Sequence, residues 1–359
     1  MAPVKVAVLD DYKGHAKAYF DTLDPAAFEV VYFPDTLLPY DHASTAQADK
    51  DALVARLAPF AVISTMRERT PFPGALVDRL PNLALLLTTG GRNRGLDLDA
   101  FQRHGVPVVA SVDRGEGAAK GESVTGPSST AQHFVALLLA VARSVALDDQ
   151  SVKTGGWHTG HAPFGLAGKT YATVGLGRLG AATAKLLHQA FHMKVIAWSA
   201  NLTQQKADEQ AAAQGLPAGT FAAVSREALF READVLAIHT VLSERTRGLV
   251  TRTDLARMKQ DSIFINTSRG PIVREDDLLD VLRRGAIHRA ALDVFDVEPL
   301  PQDSPWRTTS WGGPDGSSQV LLTPHMGYGE RVTMETWYAT QVENLLKWSR
   351  GEALPNRLA

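Results

Sequence analysis

The chain of 359 residues contains no cysteine. That excludes disulfides, thiolate zinc sites and a Cys nucleophile together. It also lacks an excess of either charge: 37 Lys and Arg stand against 39 Asp and Glu, a formal net charge of −2. Such a balance offers no basic field to nucleic acid or to an anionic membrane surface, so neither is an expected partner. The N-terminal apolar run Val4–Leu9 ends at Asp10 and Asp11. It is too short and too quickly polar for a signal peptide or a membrane span, and it reads as a first strand of a cytoplasmic protein. No internal repeat is visible. What remains is the composition of an ordinary globular protein, 45% hydrophobic and 21% charged, at a length where two domains are the default.

The most informative stretch is Lys169-Thr-Tyr-Ala-Thr-Val-Gly-Leu-Gly-Arg-Leu-Gly180. A β-branched apolar run at 171–174 feeds a Gly-x-Gly-x-x-Gly turn at Gly175, Gly177 and Gly180, and an Ala-rich helical segment follows. In a dinucleotide site the first glycine permits the tight turn. The second lets a pyrophosphate approach the backbone, and the third lets helix and strand pack closely. The helix N-terminus then faces the phosphates with its free N–H groups. Strand, turn and helix in this order point to NAD(P) binding, whereas the same glycines in another context are a plain turn.

Around this stretch, apolar strand-like runs alternate with helical spacing. Val4–Leu9, Phe28–Phe33, 60–64, 83–87 and Val108–Ser111 read as strands, with a helix at 50–57. Lys194–Trp198, 235–239, Ile263–Asn266, 290–294 and 320–322 continue the pattern, and 331–348 reads as a closing helix. The alternation predicts doubly wound parallel α/β sheets. Residues 113–129, rich in Gly, Ser and Pro, read as a connector. The helix from Ser129, with Ser129 and Thr130 as cap candidates, is apolar nearly all round, so it is expected to be covered by another domain or another subunit. Residues 302–318 read as a polar loop.

Three polar residues fall near strand ends: Arg269, Glu298 and His325. In a doubly wound sheet the carboxyl-end loops converge on one crevice. There an Arg can hold a carboxylate in bidentate fashion, and a His beside a carboxylate can stay protonated and act as an acid. This is equipment for reducing a 2-oxo acid by hydride transfer. Singly, each residue is as easily a surface Arg, a capping Glu or a satisfied loop His.

Four motifs in order carry a family resemblance over residues 4–348: Val174-Gly-Leu-Gly-Arg-Leu-Gly180, Asn266-Thr-Ser-Arg-Gly-Pro-Ile-Val273, Ala291-Leu-Asp-Val-Phe-Asp-Val-Glu-Pro299 and Leu322-Thr-Pro-His325. The chain resembles the D-isomer-specific 2-hydroxyacid dehydrogenases. The resemblance implies a Rossmann-type NAD(P)-binding domain at 128–328 inserted into a discontinuous flavodoxin-like substrate (catalytic) domain at 1–127 and 329–359. It implies that Arg269 holds the substrate carboxylate, that His325 protonates the carbonyl oxygen and that Glu298 tunes His325. Cofactor contacts are implied for Gly175, Gly177, Arg178, Leu179, Gly180, Ser199, Asn201, Thr240, Val241, Thr246, Thr267, Ser268, Asp293 and Gly327, with Asp293 at the nicotinamide amide. Substrate contacts are implied for Gly90, Gly91 and Arg92 through their backbone and for Arg67, with Arg69 beside it. A homodimer through the helix at 129–147 is implied as well. No metal is expected, and His158 and His161 lack further ligands.

Departures from the family pattern shape the remaining expectations. Ser199 stands where an Asp usually binds the ribose hydroxyls, no acid follows before Asp208, no Arg is near in sequence, and the nearest base is Lys206. An Asp would repel a 2′-phosphate, so Ser199, with Asn201 and Thr203, predicts use of both cofactors with a slight lean to NADP(H). Val241 replaces a usual Pro and His192 a usual Gly, both read as drift. Trp306 and Trp311, with Tyr328, read either as pocket lining that favours bulky 2-oxo acids or as a surface excursion. Within the family, Glu298 disfavours a formate dehydrogenase, and the end at Ala359 disfavours a phosphoglycerate dehydrogenase with an added regulatory domain. The expectation outside enzymology is a dinucleotide-sensing, corepressor-like binding protein with little turnover.

Overall fold

The computed structural model describes residues 2–91, 93–111, 126–313 and 316–359. The chain divides into two compact units. Unit 1 comprises Met1–Val124, Val297–Pro299 and Gly329–Ala359; unit 2 comprises Thr125–Asp296 and Leu300–Tyr328.

Unit 1 is built on five parallel strands, β1 (Val4–Leu9), β2 (Phe28–Phe33), β3 (Val62–Thr65), β4 (Leu85–Thr89) and β5 (Val108–Ser111), in the order β2-β1-β3-β4-β5. Strands β3, β4 and β5 are buried at every position, as parallel strands covered on both faces must be. Their sequences are accordingly unbroken apolar or small-polar runs. The helix Arg331–Ser349 packs against β4 and β5. It is pinned by the Ser111 hydroxyl, which donates to the Trp337 carbonyl at 2.9 Å, and by a Ser64–Gln341 side-chain hydrogen bond.

Unit 2 carries seven parallel strands: β6 (Thr170–Val174), β7 (Lys194–Trp198), β8 (Phe221–Ala223), β9 (Val235–Ile238), β10 (Ile263–Asn266), β11 (Arg289–Leu292) and β12 (Gln319–Leu322). Their order is β12-β11-β10-β9-β6-β7-β8. The chain thus leaves β6 in one direction and returns to its other side at β9, and β6 sits at the reversal of strand order. Strand β8 was not anticipated, since three residues are too few to show a period.

Three local expectations are corrected. The helix from Ser129 runs only to Ala142. It ends where Ser144 takes a left-handed conformation (φ +54°), its hydroxyl 3.2 Å from Gln319 Oε1, and a second helix, Val145–Lys153, leaves at a 61° bend. Its N-cap is Ser128, which accepts from the Ala131 amide, rather than Ser129 or Thr130. Its apolar face, with Phe134, Leu138 and Val141, is covered inside unit 2 by the helix Arg178–Phe191 and by β10, β11 and β12. That face is therefore buried by unit 2 itself, while Val135, Leu139 and Ala140 stay half-buried and Ala136 exposed. The connector at 113–129 lies mostly outside the described residues.

Candidate active site

In unit 2 the loops that bear the site residues implied by the sequence all leave the carboxyl edge of one parallel sheet. After β6, Gly175 adopts φ +99°, and a Cβ there would lie 2.9 Å from the His239 carbonyl oxygen. A Cβ on Gly180 would stand 2.4 Å from the Gly175 carbonyl oxygen. Both positions admit only glycine. Gly177 is different: it is exposed, it forms the N-cap of the helix Arg178–Phe191 without a side-chain cap, and a Cβ there would meet nothing within 4 Å. The turn is rigid at two glycines and open at the one between them. Arg178 is exposed and Leu179 half-buried at the start of the helix.

Beyond β7, Ser199 is half-buried and Asn201 exposed. Thr203 caps the helix Gln204–Ala213, and the Lys206 ammonium donates to the Asn201 carbonyl at 2.9 Å, which brings a cation to this loop. An arginine is nearby after all: the Arg226 guanidinium lies 5.3 Å from the Trp198 ring centre. Sequence distance concealed it. That guanidinium is committed to Asp254 at 2.7 and 2.9 Å. After β9, the Thr246 hydroxyl donates to the Val241 carbonyl at 2.6 Å and folds the turn that leaves Val241 exposed. His239, beneath the glycine turn, packs on Phe134 and has its Nε2 enclosed without a partner; burial pushes its pKa down to about 4, so the ring stays neutral.

After β10, the turn of Arg269 is internally braced. The Asn266 amide donates to the Arg269 carbonyl at 3.0 Å, and the Ser268 amide donates to Asn266 Oδ1 at 3.0 Å. The Ser268 hydroxyl donates to the Thr240 carbonyl at 2.6 Å, joining two of the cofactor positions implied by the sequence. Gly270 is required here, because a Cβ would fall 2.0 Å from the Phe295 carbonyl carbon. Arg269 itself is half-buried, and Thr267 Oγ1 is buried with no hydrogen-bond partner.

After β11 and β12, Asp293 and His325 share one constellation. Asp293 Oδ1 accepts from the Thr323 hydroxyl at 2.5 Å and the Met326 amide at 2.8 Å, and Oδ2 accepts from the Gly327 amide at 2.9 Å. His133 Nε2, 3.1 Å from Oδ1, completes the shell. Burial raises the Asp293 pKa, but the hydrogen bonds from His133, Thr323, Met326 and Gly327 outweigh it and hold the carboxyl below its ordinary value. His325 is half-buried with φ +54°, and Tyr328 meets its ring edge-on at 6.4 Å. Sequence reasoning missed His133, which sits inside an apolar helical run; its only signal was being polar there.

Unit 1 holds the other positions. Arg67, at φ +53°, lies over the Trp337 ring at 5.9 Å, and its Nη1 is 2.8 Å from where a Cβ on Gly90 would be. Gly90 is buried at φ +76° and Gly91 is exposed, while Arg92 lies outside the described residues. Glu298 belongs to the Val297–Pro299 segment of unit 1 and stands 3.7 Å from Arg69. Thus Arg269 and His325 are carried by unit 2 and Glu298 by unit 1. Among the described residues no cluster of three His, Asp or Glu side chains is able to hold a metal. Trp306 is 2% exposed and packs on Phe295 (6.3 Å) and Trp311 (5.7 Å) in the core of unit 2. It neither lines an open pocket nor sits on the surface, because a short helix, Pro305–Thr308, turns it inward.

Two parallel α/β units, one with a glycine turn at the reversal of its strand order, define a dinucleotide-dependent enzyme. Residues 135–327 match the D-isomer specific 2-hydroxyacid dehydrogenase, NAD binding domain. The chain is 32% identical to glyoxylate/hydroxypyruvate reductase B of Enterobacter sp. (strain 638) over 286 residues, 79% of this chain and 80% of that one. It is 27% identical to hydroxypyruvate reductase of Blautia hydrogenotrophica over 319 residues, 87% of this chain and 88% of that one. Among solved structures, phosphoglycerate oxidoreductase from Vibrio cholerae o395 superposes with a TM-score of 0.78 at 31% identity, over 97% of this chain and 99% of that one. The chain belongs to the D-isomer specific 2-hydroxyacid dehydrogenase family. It is an NAD(P)-dependent oxidoreductase acting on the CH–OH group of D-2-hydroxy acids. The corepressor-like alternative has no support among these relatives.

Proposed function

We propose that the protein reduces small, polar 2-oxo acids, with Arg269 holding the carboxylate and His325 delivering the proton. The observation that carries this reading is the placement of both side chains on loops that leave the same edge of one sheet as the glycine turn, after β10 and β12. The residues fit a dinucleotide. Gly177 leaves open space at an uncapped helix N-terminus, and Thr267 Oγ1 is a buried donor without a partner among the described residues. When bound, reduced nicotinamide supplies the hydride that reaches the carbonyl carbon. The Arg269 guanidinium forms paired hydrogen bonds to the substrate carboxylate. His325 gives its proton to the carbonyl oxygen, so that a hydroxyl forms and the imidazole is left neutral. Glu298 takes the role the motif match implies, the carboxylate that tunes His325, and Asp293 Oδ2 has a second lone pair to accept from the nicotinamide amide.

The domain roles follow the same reading: residues 1–127 and 329–359 take the substrate, with the Gly90-Gly91-Arg92 backbone and Arg67 as its contacts, and 128–328 take the cofactor. The slight lean to NADP(H) rests on Ser199 and on the Lys206 ammonium at the Asn201 loop. Small substrates are favoured over bulky ones because Trp306 is spent on the core, and because relatives of this chain are named for glyoxylate and hydroxypyruvate. A homodimer formed through the 129–147 region is supported by exposed Val145 within it and by exposed Val152 and Trp157 just beyond it.

Initial rates of NADPH and NADH oxidation with glyoxylate, hydroxypyruvate, pyruvate and phenylpyruvate test the reading, with His325→Ala alongside. Fast turnover of the small acids that the substitution abolishes is expected. Tight dinucleotide binding with no turnover of any acid would refute it, and a tenfold NADH preference in kcat/KM would refute the cofactor lean.

A further inference from the structure

His133 stands on the helix Ser129–Ala142 with its side chain 22% exposed, and its Nε2 reaches Asp293 Oδ1 at 3.1 Å and Thr323 Oγ1 at 3.2 Å. Asp293, 1% exposed, is held by the Thr323 hydroxyl on one side of His325 and by the Met326 and Gly327 amides on the other. His325 lies between these anchors at φ +54°, a left-handed conformation that residues with a side chain rarely adopt. Such a conformation persists only where its surroundings over-determine it. Prominent among those surroundings is one carboxylate: the turn cannot relax without breaking hydrogen bonds to Asp293. Packing leaves little slack, because a Cβ on Gly327 would be 3.2 Å from Asp293 Oδ2 and 3.6 Å from His133 Cδ2. The groups facing Asp293 are His133 from the helix and Thr323, Met326 and Gly327 from the turn. An ionised carboxylate can only accept, so His133 Nε2 carries the hydrogen.

We propose that His133 is a positioning residue for proton transfer: through Asp293 and Thr323 it holds the 323–327 turn, and with it the His325 imidazole, in the orientation the reaction uses. The inference rests on the reading of His325 as proton donor. It assigns a role in turnover to a helix whose sequence reads as a buried packing element and, by resemblance, as the dimer-forming one. A donor lost from this shell leaves the turn anchored by fewer bonds, and displacement of a catalytic group by about 1 Å costs on the order of 100-fold in rate.

The test uses the full-length enzyme with glyoxylate and NADPH, comparing His133→Leu, His133→Gln, Thr323→Val and His325→Gln. His133→Leu is expected to lower kcat about 10- to 100-fold. The KM for glyoxylate and the NADPH affinity read by cofactor fluorescence are expected to stay within about threefold. His133→Gln, whose amide reaches the same donor position, is expected to recover most of kcat. Thr323→Val removes the second donor of the shell, so it tests the same point if His133→Leu fails to fold. Wild-type kcat in both His133→Leu and Thr323→Val overturns the inference. So does a lowered Tm with kcat per NADPH-binding site unchanged, which would make His133 merely structural. If His325→Gln is inactive in that case, only the inference falls. If His325→Gln also turns over at the wild-type rate, the reading of the site falls with it.

Discussion

The Arg69 guanidinium lies 3.7 Å from the Glu298 carboxylate, with the two side chains 7% and 24% exposed. The pair sits in unit 1, where Arg69 also faces the Tyr12 ring at 5.8 Å. The carboxylate proposed to tune His325 therefore has a cation from the β3 loop beside it. Replacing Arg69 by Leu removes that cation. The expected result is a fall in kcat of about tenfold with NADPH affinity unchanged, alongside a stability loss of about 1–3 kcal/mol, read by steady-state kinetics and urea unfolding. An unaltered kcat would separate Arg69 from the reaction.

Asp10 predicts a pH dependence of stability. It is 2% exposed, and burial raises its pKa to about 6 against the pull of hydrogen bonds from Thr36 and Thr70 and the nearby Arg69 and Arg56 charges. A carboxyl whose folded pKa is raised binds its proton more tightly in the native state. Its contribution to stability is therefore complete at low pH, and it is lost as pH rises from the unfolded pKa near 4 to about 6. The loss is of order 3 kcal/mol. Asp10→Asn keeps a residue type that tolerates the local φ of +62°. It should flatten the Tm profile between pH 4 and 6 and raise Tm above pH 6.

The glycines of the turn should separate into two kinds. Gly180→Ala drives a Cβ against backbone and should cost about 2 kcal/mol or more. Gly177→Ala meets nothing within 4 Å among the described residues, so Tm should hold while dinucleotide affinity falls at least about tenfold. Fluorescence titration with NADPH distinguishes them. Unchanged affinity in Gly177→Ala would mean that no cofactor approaches there.

Trp306→Ala should behave as a core deletion, losing about 3–5 kcal/mol of stability. The ratio of kcat/KM for phenylpyruvate over glyoxylate should stay put. A shift in that ratio beyond about threefold would return the tryptophan to the substrate pocket.

Trp157, 79% exposed, should report on assembly. Trp157→Ser is expected to weaken a dimer measured by light scattering across concentration. A wild-type protein that is monomeric at every concentration would remove that proposal.

Much of this molecule is legible in its sequence because most of its strands are buried. A parallel strand covered on both faces must be an apolar run, so β5 and β10, and β1 and β7 with their buried centres, appear with their observed bounds. The edge strand β2 does so as well, with only Phe28 buried, because it is rich in β-branched and aromatic residues. The glycine turn is equally legible, since backbone contacts at Gly175 and Gly180 allow no other residue, and so is the fold class. Elements without such a constraint were not legible. Strand β8 is too short to show a period. The break at Ser144 depends on a hydrogen bond to Gln319 in a distant strand. The inward turn of Trp306 depends on Phe295 and Trp311 being there to receive it. The helix from Ser129 shows its apolarity in sequence, but only the packed sheet decides what covers it. The same division holds at the site. Arg269, Glu298 and His325 stand out as polar residues near strand ends. That Asp293 gathers Thr323, Met326, Gly327 and His133 around one carboxylate, and that Arg226 lies on Trp198, was decided by tertiary structure, because hydrogen bonds and ring contacts follow distance in space and leave no period along the chain.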